Sequence, residues 1–188
     1  MQMRLPLLPF RYLALVLLVT CVIGCSNLKL ASKPTTAVPL SGVWLIDATA
    51  SDDIAGAMRP DKQLLGKGRL STRSEIERIR RGSGLAIVAD GFQILDANTI
   101  EIEVGSDSMG VQHRPGVYRD VSWGIKERGI WRIHAGWEEN VLVIASKTSG
   151  IDVLERYQLV DNDRLMVRLD IQADGNKRAI ALVFRRLQ

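Results

Sequence analysis

The chain has 188 residues, enough for one domain with a core of its own and short for two. Hydrophobic residues make up 46% and charged residues 24%, which excludes a wholly disordered chain. The formal charge is +4, and two of those positives, Arg4 and Arg11, lie in a segment with the layout of a removable leader, so the charge gives little support to a nucleic-acid partner. Only Cys21 and Cys25 are cysteines; the remainder of the chain offers no disulfide, no thiol nucleophile and no cysteine zinc site.

Residues 1–11 carry Arg4 and Arg11 and no acid, and Tyr12 to Ile23 is almost wholly apolar. A basic stretch followed by a short apolar one is the layout of a secretory signal. Twelve residues span about 18 Å as a helix, against about 30 Å of hydrocarbon, too short for a comfortable membrane crossing. The apolar run ends in Val22-Ile23-Gly24-Cys25: an aliphatic residue, a variable one, a small one, then cysteine. This resembles the lipobox of bacterial lipoproteins, and Leu18-Val19-Thr20-Cys21 is a weaker match because Thr20 is a poorer small residue. The resemblance covers the first 25 or so residues. It implies that Cys25 is lipidated (palmitate being one such chain) and becomes the first mature residue, so that 1–24 is a signal peptide. Two or three acyl chains make such a tether effectively permanent. Ser26 stands where, in lipoproteins of enteric type, aspartate favours the inner membrane, so the resemblance points to the outer membrane, facing the periplasm.

Residues 25–40 then read as a lipidated N-terminus and an extended linker containing Pro34 and Pro39, and 41–188 as a single β-rich domain. Gly42 to Ile46 opens it as a strand. Ser51 followed by Asp52, Asp53 and Ile54 suits a short helix start, and the boxes Thr72-x-x-Glu75 and Ser74-x-x-Glu77, with Gly82 beyond, predict a short helix over 73–81. One or two short helices are thus expected near residues 52–81. After Gly84 period two takes over, with Asp90-Gly91 as a hairpin dipeptide. Ile100, Ile102 and Val104 alternate with glutamates; Trp131, Ile133, Ala135 and Trp137 alternate with Arg132, His134 and Gly136; Leu165, Val167, Leu169 and Ile171 do the same, and Ile180, Leu182 and Phe184 close the series. Ile151, Val153, Tyr157 and Leu159 share one face, on which Glu155 is the exception. Turn residues at 96–98, 138–140, 148–150, 161–163 and 173–176 separate the runs. The expected fold is mainly β, an antiparallel up-and-down meander of about nine strands closed as a barrel or folded as a curved sheet. In strand count and hairpins it loosely resembles lipocalin-type barrels.

Two features are candidates for binding. The stretch 117–138 holds three of the four tryptophans and supplies a possible binding face of Tyr118, Arg119, Asp120, Trp123, Trp131, His134 and Trp137; against this, Trp131 and Trp137 lie on the apolar side of one strand and suit the core. Residues 59–81 carry a net +5, from eight basic and three acidic side chains, with Arg69, Arg73, Arg78, Arg80 and Arg81 as a patch for an anionic envelope polymer or, more plainly, a solvated face. Catalysis has little support: His113 and His134 are the only histidines, and neither H-E-x-x-H nor G-x-S-x-G occurs. No catalytic residue, metal or cofactor is assigned. The expectation is a membrane-anchored envelope lipoprotein that binds rather than catalyses, held to the membrane by the lipid on Cys25, with an envelope protein or anionic polymer as partner and no nucleic acid. A carrier of a small apolar ligand is the alternative, and an enzyme with a site formed only by folding is third. Replacing the anchor tests the address: Cys25→Ala should leave the protein soluble or unprocessed on cell fractionation, and unchanged processing and membrane association would remove the lipoprotein assignment.

Overall fold

The computed structural model describes residues 28–59 and 84–187. The expected helix over 73–81 and the anionic-partner patch Arg69, Arg73, Arg78, Arg80 and Arg81 lie outside these residues, as do Cys25 and the leader. Among the described residues, ten strands form one antiparallel sheet: β1 (Gly42–Ile46), β2 (Thr99–Val104), β3 (Ser108–Arg114), β4 (Tyr118–Ser122), β5 (Gly124–Arg128), β6 (Trp131–Glu138), β7 (Val141–Thr148), β8 (Ile151–Leu159), β9 (Arg164–Ala173) and β10 (Asn176–Arg186). The order across the sheet is β4-β3-β2-β1-β10-β9-β8-β7-β6-β5. The two edge strands are therefore consecutive in the chain, with Trp123 alone between them. A sheet whose edges are joined by one residue has to curl until they meet, and the meander is a barrel left unzipped at this seam. Across it, no β4–β5 ladder forms; the Arg128 Nη1 donates to the Asp120 carbonyl at 2.7 Å instead.

Alternation decides what goes inside. Register places Trp44, Ile100, Ile102, Met109, Val111, Leu142, Ile144, Tyr157, Val167, Leu182 and Phe184 on the inner surface, all at most 1% exposed. Burying each of the larger side chains contributes about 1.5–3 kcal/mol. The hairpins follow their turn chemistry. In the β9–β10 loop, Asp174 and Gly175 have φ of 47° and 84°, the two positive values that a two-residue turn needs to match the strands' twist.

Three local expectations are corrected. Residues 84–91 form a helix, not a strand, so Asp90-Gly91 ends a helix instead of turning a hairpin. Leu85, Val88 and Phe92 are buried at three- and four-residue spacing, the helical period; a four-residue apolar run such as 85–88 is ambiguous by pattern alone. Numbering the helix Ile54–Ala57 as α1, 84–91 is α2, and a 3-10 turn, Gln93–Leu95, follows it. Ser51 does not cap α1: its hydroxyl donates to the Asp47 carbonyl at 2.8 Å and accepts the Val183 N–H at 2.9 Å, and Asp53 takes the cap position. Finally, 28–40 is no free linker. Ala31 exchanges two backbone hydrogen bonds of 2.8 Å with Trp137, Thr35 donates to the Glu139 carbonyl at 3.0 Å, and Leu40 is wholly buried. Gly136 permits this approach, since a Cβ there would stand 2.6 Å from the Ala31 carbonyl oxygen.

A clasp joins the first strand to the last. The Arg186 guanidinium stacks on the Trp44 ring, 4.1 Å from its centroid, and donates to the carbonyls of Pro39 at 2.6 Å, Ser41 at 2.9 Å and Asn162 at 3.0 Å. The Trp44 indole N–H donates to the Leu40 carbonyl at 2.9 Å. Charge-assisted bonds and a cation–π contact together predict that Arg186→Ala lowers stability by about 1–3 kcal/mol, read as a shift of the urea midpoint. Arg186→Lys should recover only part of it, because an ammonium cannot stack and fork at once.

Candidate functional site

The exception in the β8 pattern is the centre of the barrel. Glu155 falls on the inner face between Ile144 of β7 and Leu169 of β9 and is wholly buried. An isolated carboxylate there would be very costly. Arg119, on the inner face of β4 opposite Val111, reaches across the interior to meet it: Nη1 lies 2.8 Å from one carboxylate oxygen and 3.1 Å from the other. The Tyr157 hydroxyl donates to the same carboxylate at 3.0 Å. Phe92, presented by the end of α2, lies under the guanidinium at 5.7 Å and meets Trp131 edge-on at 5.4 Å.

Ionisation follows from this packing. Burial opposes the charge on Arg119, but Glu155 and the Tyr157 oxygen outweigh it and the guanidinium pKa is raised. Burial, reinforced by Glu155, pushes the Tyr157 hydroxyl well above the usual tyrosine value, so it stays a donor. His113, on the inner face of β3, is 2% exposed, and burial lowers its pKa from the ordinary 6.5, against a smaller opposite effect of the Val117 carbonyl and Glu155. Its Nδ1 stands 3.3 Å from that carbonyl. A carbonyl only accepts, so Nδ1 carries the proton and Nε2 is left as an acceptor.

Around Arg119 the interior is not filled. One cavity of about 230 Å³ is lined by Gln93, His113, Val117, Tyr118, Arg119 and Arg128, and a second of about 160 Å³ by Phe92, Arg119, Arg128, Trp131, Ile133 and Ser146. Gly91, at the end of α2, borders both. Among the described residues, the buried polar side-chain atoms without a partner are His113 Nε2, Ser146 Oγ and Trp123 Nε1, and the first two belong to residues of these cavities. A buried polar atom left unmatched costs about 1–3 kcal/mol, and in folded proteins such atoms are met by water or another polar group. A larger open groove of about 630 Å³ runs over the outer surface of β7–β10. Two ion pairs line it, Arg156 with Asp170 at 2.6 Å and Lys147 with Asp152 at 3.4 Å.

The seven residues expected as one binding face are divided by the barrel wall. Arg119, Trp131 and Trp137 point inward; Tyr118, Asp120 and His134 lie on the outer side of their strands. Trp137 is 2% exposed and packs edge-on against Trp123 at 6.4 Å, so this pair serves the core. Only Arg119, Trp131 and the rim residue Tyr118 touch the cavities. Glu155, His113, Phe92, Arg128 and Ser146 were not among the expected site residues.

No family model matches the sequence, and no curated protein does. Among solved structures, the chain is similar to the fluorescent protein UnaG, at 13% identity and a TM-score of 0.47, covering 79% of this chain and 97% of that one. Two point variants of UnaG match similarly, with TM-scores of 0.47 and 0.46 and identities of 14% and 13%, covering 79% and 78% of this chain and 96% and 95% of theirs. Likeness at this level says nothing of what the barrel binds.

Two stability experiments follow. Truncating one member of the pair, in Arg119→Ala, strands a buried carboxylate and should cost about 3–5 kcal/mol, whereas the double change Arg119→Met with Glu155→Leu should recover most of it. For His113 the folded pKa lies below the unfolded 6.5, so between the two the unfolded chain binds the extra proton. Stability should therefore fall as pH drops from neutrality through 6.5, and His113→Leu should flatten that part of the profile in urea titrations.

Proposed function

We propose that this chain is a lipid-anchored binding protein of the bacterial cell envelope, held at the outer membrane by Cys25 and facing the periplasm, whose barrel holds a small molecule at the mouth between β4 and β5. One observation carries the reading. Among the described residues, Trp44, Tyr157, Phe184 and their neighbours fill most of the interior, and beside Arg119 two cavities meet buried polar atoms that have no partner, whereas a further recess of about 200 Å³ beside Leu182, Leu95 and Ala97 meets none. A long apolar cargo running through the barrel does not suit that filling, so the carrier alternative narrows to a compact ligand. Chemistry is not favoured either: Ser146 and His113, a nucleophile and a base by type, line different cavities and share no hydrogen bond among the described residues.

The anchor and the mouth support each other. Two residues separate Cys25 from Leu28, three steps or at most about 11 Å of chain, and the segment after Leu28 is fastened to the Trp137 end of β6. The mouth is at the Trp131 end of the same strand, about 20 Å away at the rise of a strand. The edges β4 and β5 are joined near Trp137, through Trp123, and part towards Tyr118 and Arg128. A lipid on Cys25 thus keeps one end of the barrel close to the bilayer and turns the open end towards the periplasm. A second reading, pairing with an envelope protein along the free edges, is favoured by β5, all five residues of which are exposed, with Ile130 beyond it 67% exposed.

Native mass spectrometry of residues 26–188, made in a periplasm and purified without detergent, tests the first reading. A retained mass of a few hundred daltons at most, about what the two cavities and their open mouth admit, is the expected result. A retained long-chain lipid would contradict it, and a bare chain that crosslinks through β5 to an envelope protein would favour the second reading.

A further inference from the structure

We infer that the mouth is built for a small aromatic acid that carries a hydroxyl group beside its carboxylate; the inference rests on the small-ligand reading above and names the ligand's chemistry. Each part of the site asks for a different group. The smaller cavity, about 160 Å³, is walled by Phe92, Trp131 and Ile133. That is the size of a single ring, since an apolar cavity of roughly 150 Å³ accommodates benzene, and the edge-on Phe92–Trp131 pair at 5.4 Å offers aromatic surface to it.

Arg119 and Arg128 line both cavities, so they stand at the junction. Arg119 spends one nitrogen, Nη1, on Glu155, and among the described residues its Nε and Nη2 make no bond. Arg128 donates Nη1 to a backbone carbonyl and has no carboxylate partner. The cavity junction is thus lined by two guanidinium groups, the buried Arg119 with donors left over beside Glu155 and the exposed Arg128 at the rim, and an anion entering there would meet both. A carboxylate accepts from the fork of a guanidinium in matching geometry.

The larger cavity, about 230 Å³, contributes the third requirement. His113 is committed through Nδ1 to the Val117 carbonyl, and its Nε2 is a buried acceptor with no donor. Burial keeps the ring neutral, so a carboxylate cannot satisfy it and a hydroxyl can. Ring, carboxylate and hydroxyl are therefore wanted by three adjoining parts of one recess, and a ring-bearing 2-hydroxy acid directs all three outward from a single carbon, which would sit at the junction beside Arg119. Ser146 Oγ, also without a partner, adds a donor in the ring cavity.

Mandelate is the probe, with phenylacetate as the same acid without the hydroxyl and benzyl alcohol as the alcohol without the acid. Binding is followed on the mature chain by ¹H–¹⁵N NMR, using the Trp131 indole N–H as reporter and that of Trp123 as the remote control. Mandelate should shift Trp131 and bind about tenfold or more tightly than benzyl alcohol, which lacks the charge-assisted bonds to the arginines, and about fivefold or more tightly than phenylacetate, which leaves the buried His113 acceptor unmatched. Arg128→Gln, at an exposed position, should weaken mandelate about tenfold while leaving benzyl alcohol unchanged, and His113→Leu should bring mandelate down to the level of phenylacetate. Equal binding of the three probes, or no response to Arg128→Gln, overturns the assignment of ligand chemistry and leaves the small-ligand reading standing. No shift at Trp131 with any probe, up to the solubility of each, overturns both.

Discussion

An ion pair across the interior of a barrel governs the rest of this molecule. Glu155 sits within the sheet, in β8, and Arg119 at its edge, in β4; with Nη1 2.8 Å from the carboxylate, the edge strand is tied to the far wall as well as laddered to β3. Each charge is tolerable in the interior only because the other is there. The pair spans the interior of a sheet whose edges the single residue Trp123 joins, beside a seam with no β4–β5 ladder and a recess that α2 and Phe92 border. Filling that recess with side chains would make a tighter core, so the fold carries a local deficit at its mouth. Unmatched buried groups at His113 and Ser146 are the same deficit seen atom by atom.

The opposite end of the barrel is closed with care. Arg186 covers Trp44, their backbone neighbours accept its remaining N–H groups, and the N-terminal segment binds the exposed edge of β6 beyond its pairing with β5. Covering a free strand edge in this way removes a template for unwanted pairing. The two ends therefore differ in kind, one sealed and fastened to the chain that leads to Cys25, the other open and lined with unpaired donors and acceptors.

Much of the fold was legible in the sequence because period two is a direct consequence of strand geometry. The runs around Trp131, Leu165 and Ile180 and the turn residues between them give β6, β9 and β10 in register, and the mainly β meander that the structure shows. What stayed hidden has physical reasons. Strands β3 and β5 lack clean alternation, because Gly110 takes the place of a side chain under the Tyr118 ring and β5 is exposed throughout. Residues 84–91 are too short and too apolar to reveal their period. Residues 28–40 are docked by backbone bonds, which leave no trace in composition. The site is least legible of all. Glu155 was visible as a break in a hydrophobic face, the signal of a buried charge in need of a partner, but nothing in a linear pattern selects Arg119, 36 positions away, from the other arginines. Arg186 and Trp44, 142 positions apart, are hidden for the same reason.

The central claim is that the Arg119–Glu155 pair spans the interior beside an open seam between β4 and β5, with a ligand-sized recess next to it. A high-resolution crystal structure of the mature chain, produced in a periplasm, tests this most directly. The account predicts the pair intact, no backbone ladder between β4 and β5, and density for a small molecule or ordered waters within hydrogen-bond reach of His113 Nε2 and Ser146 Oγ. A seam zipped by backbone hydrogen bonds, with Arg119 turned out to solvent and the recess closed by side chains, would contradict it.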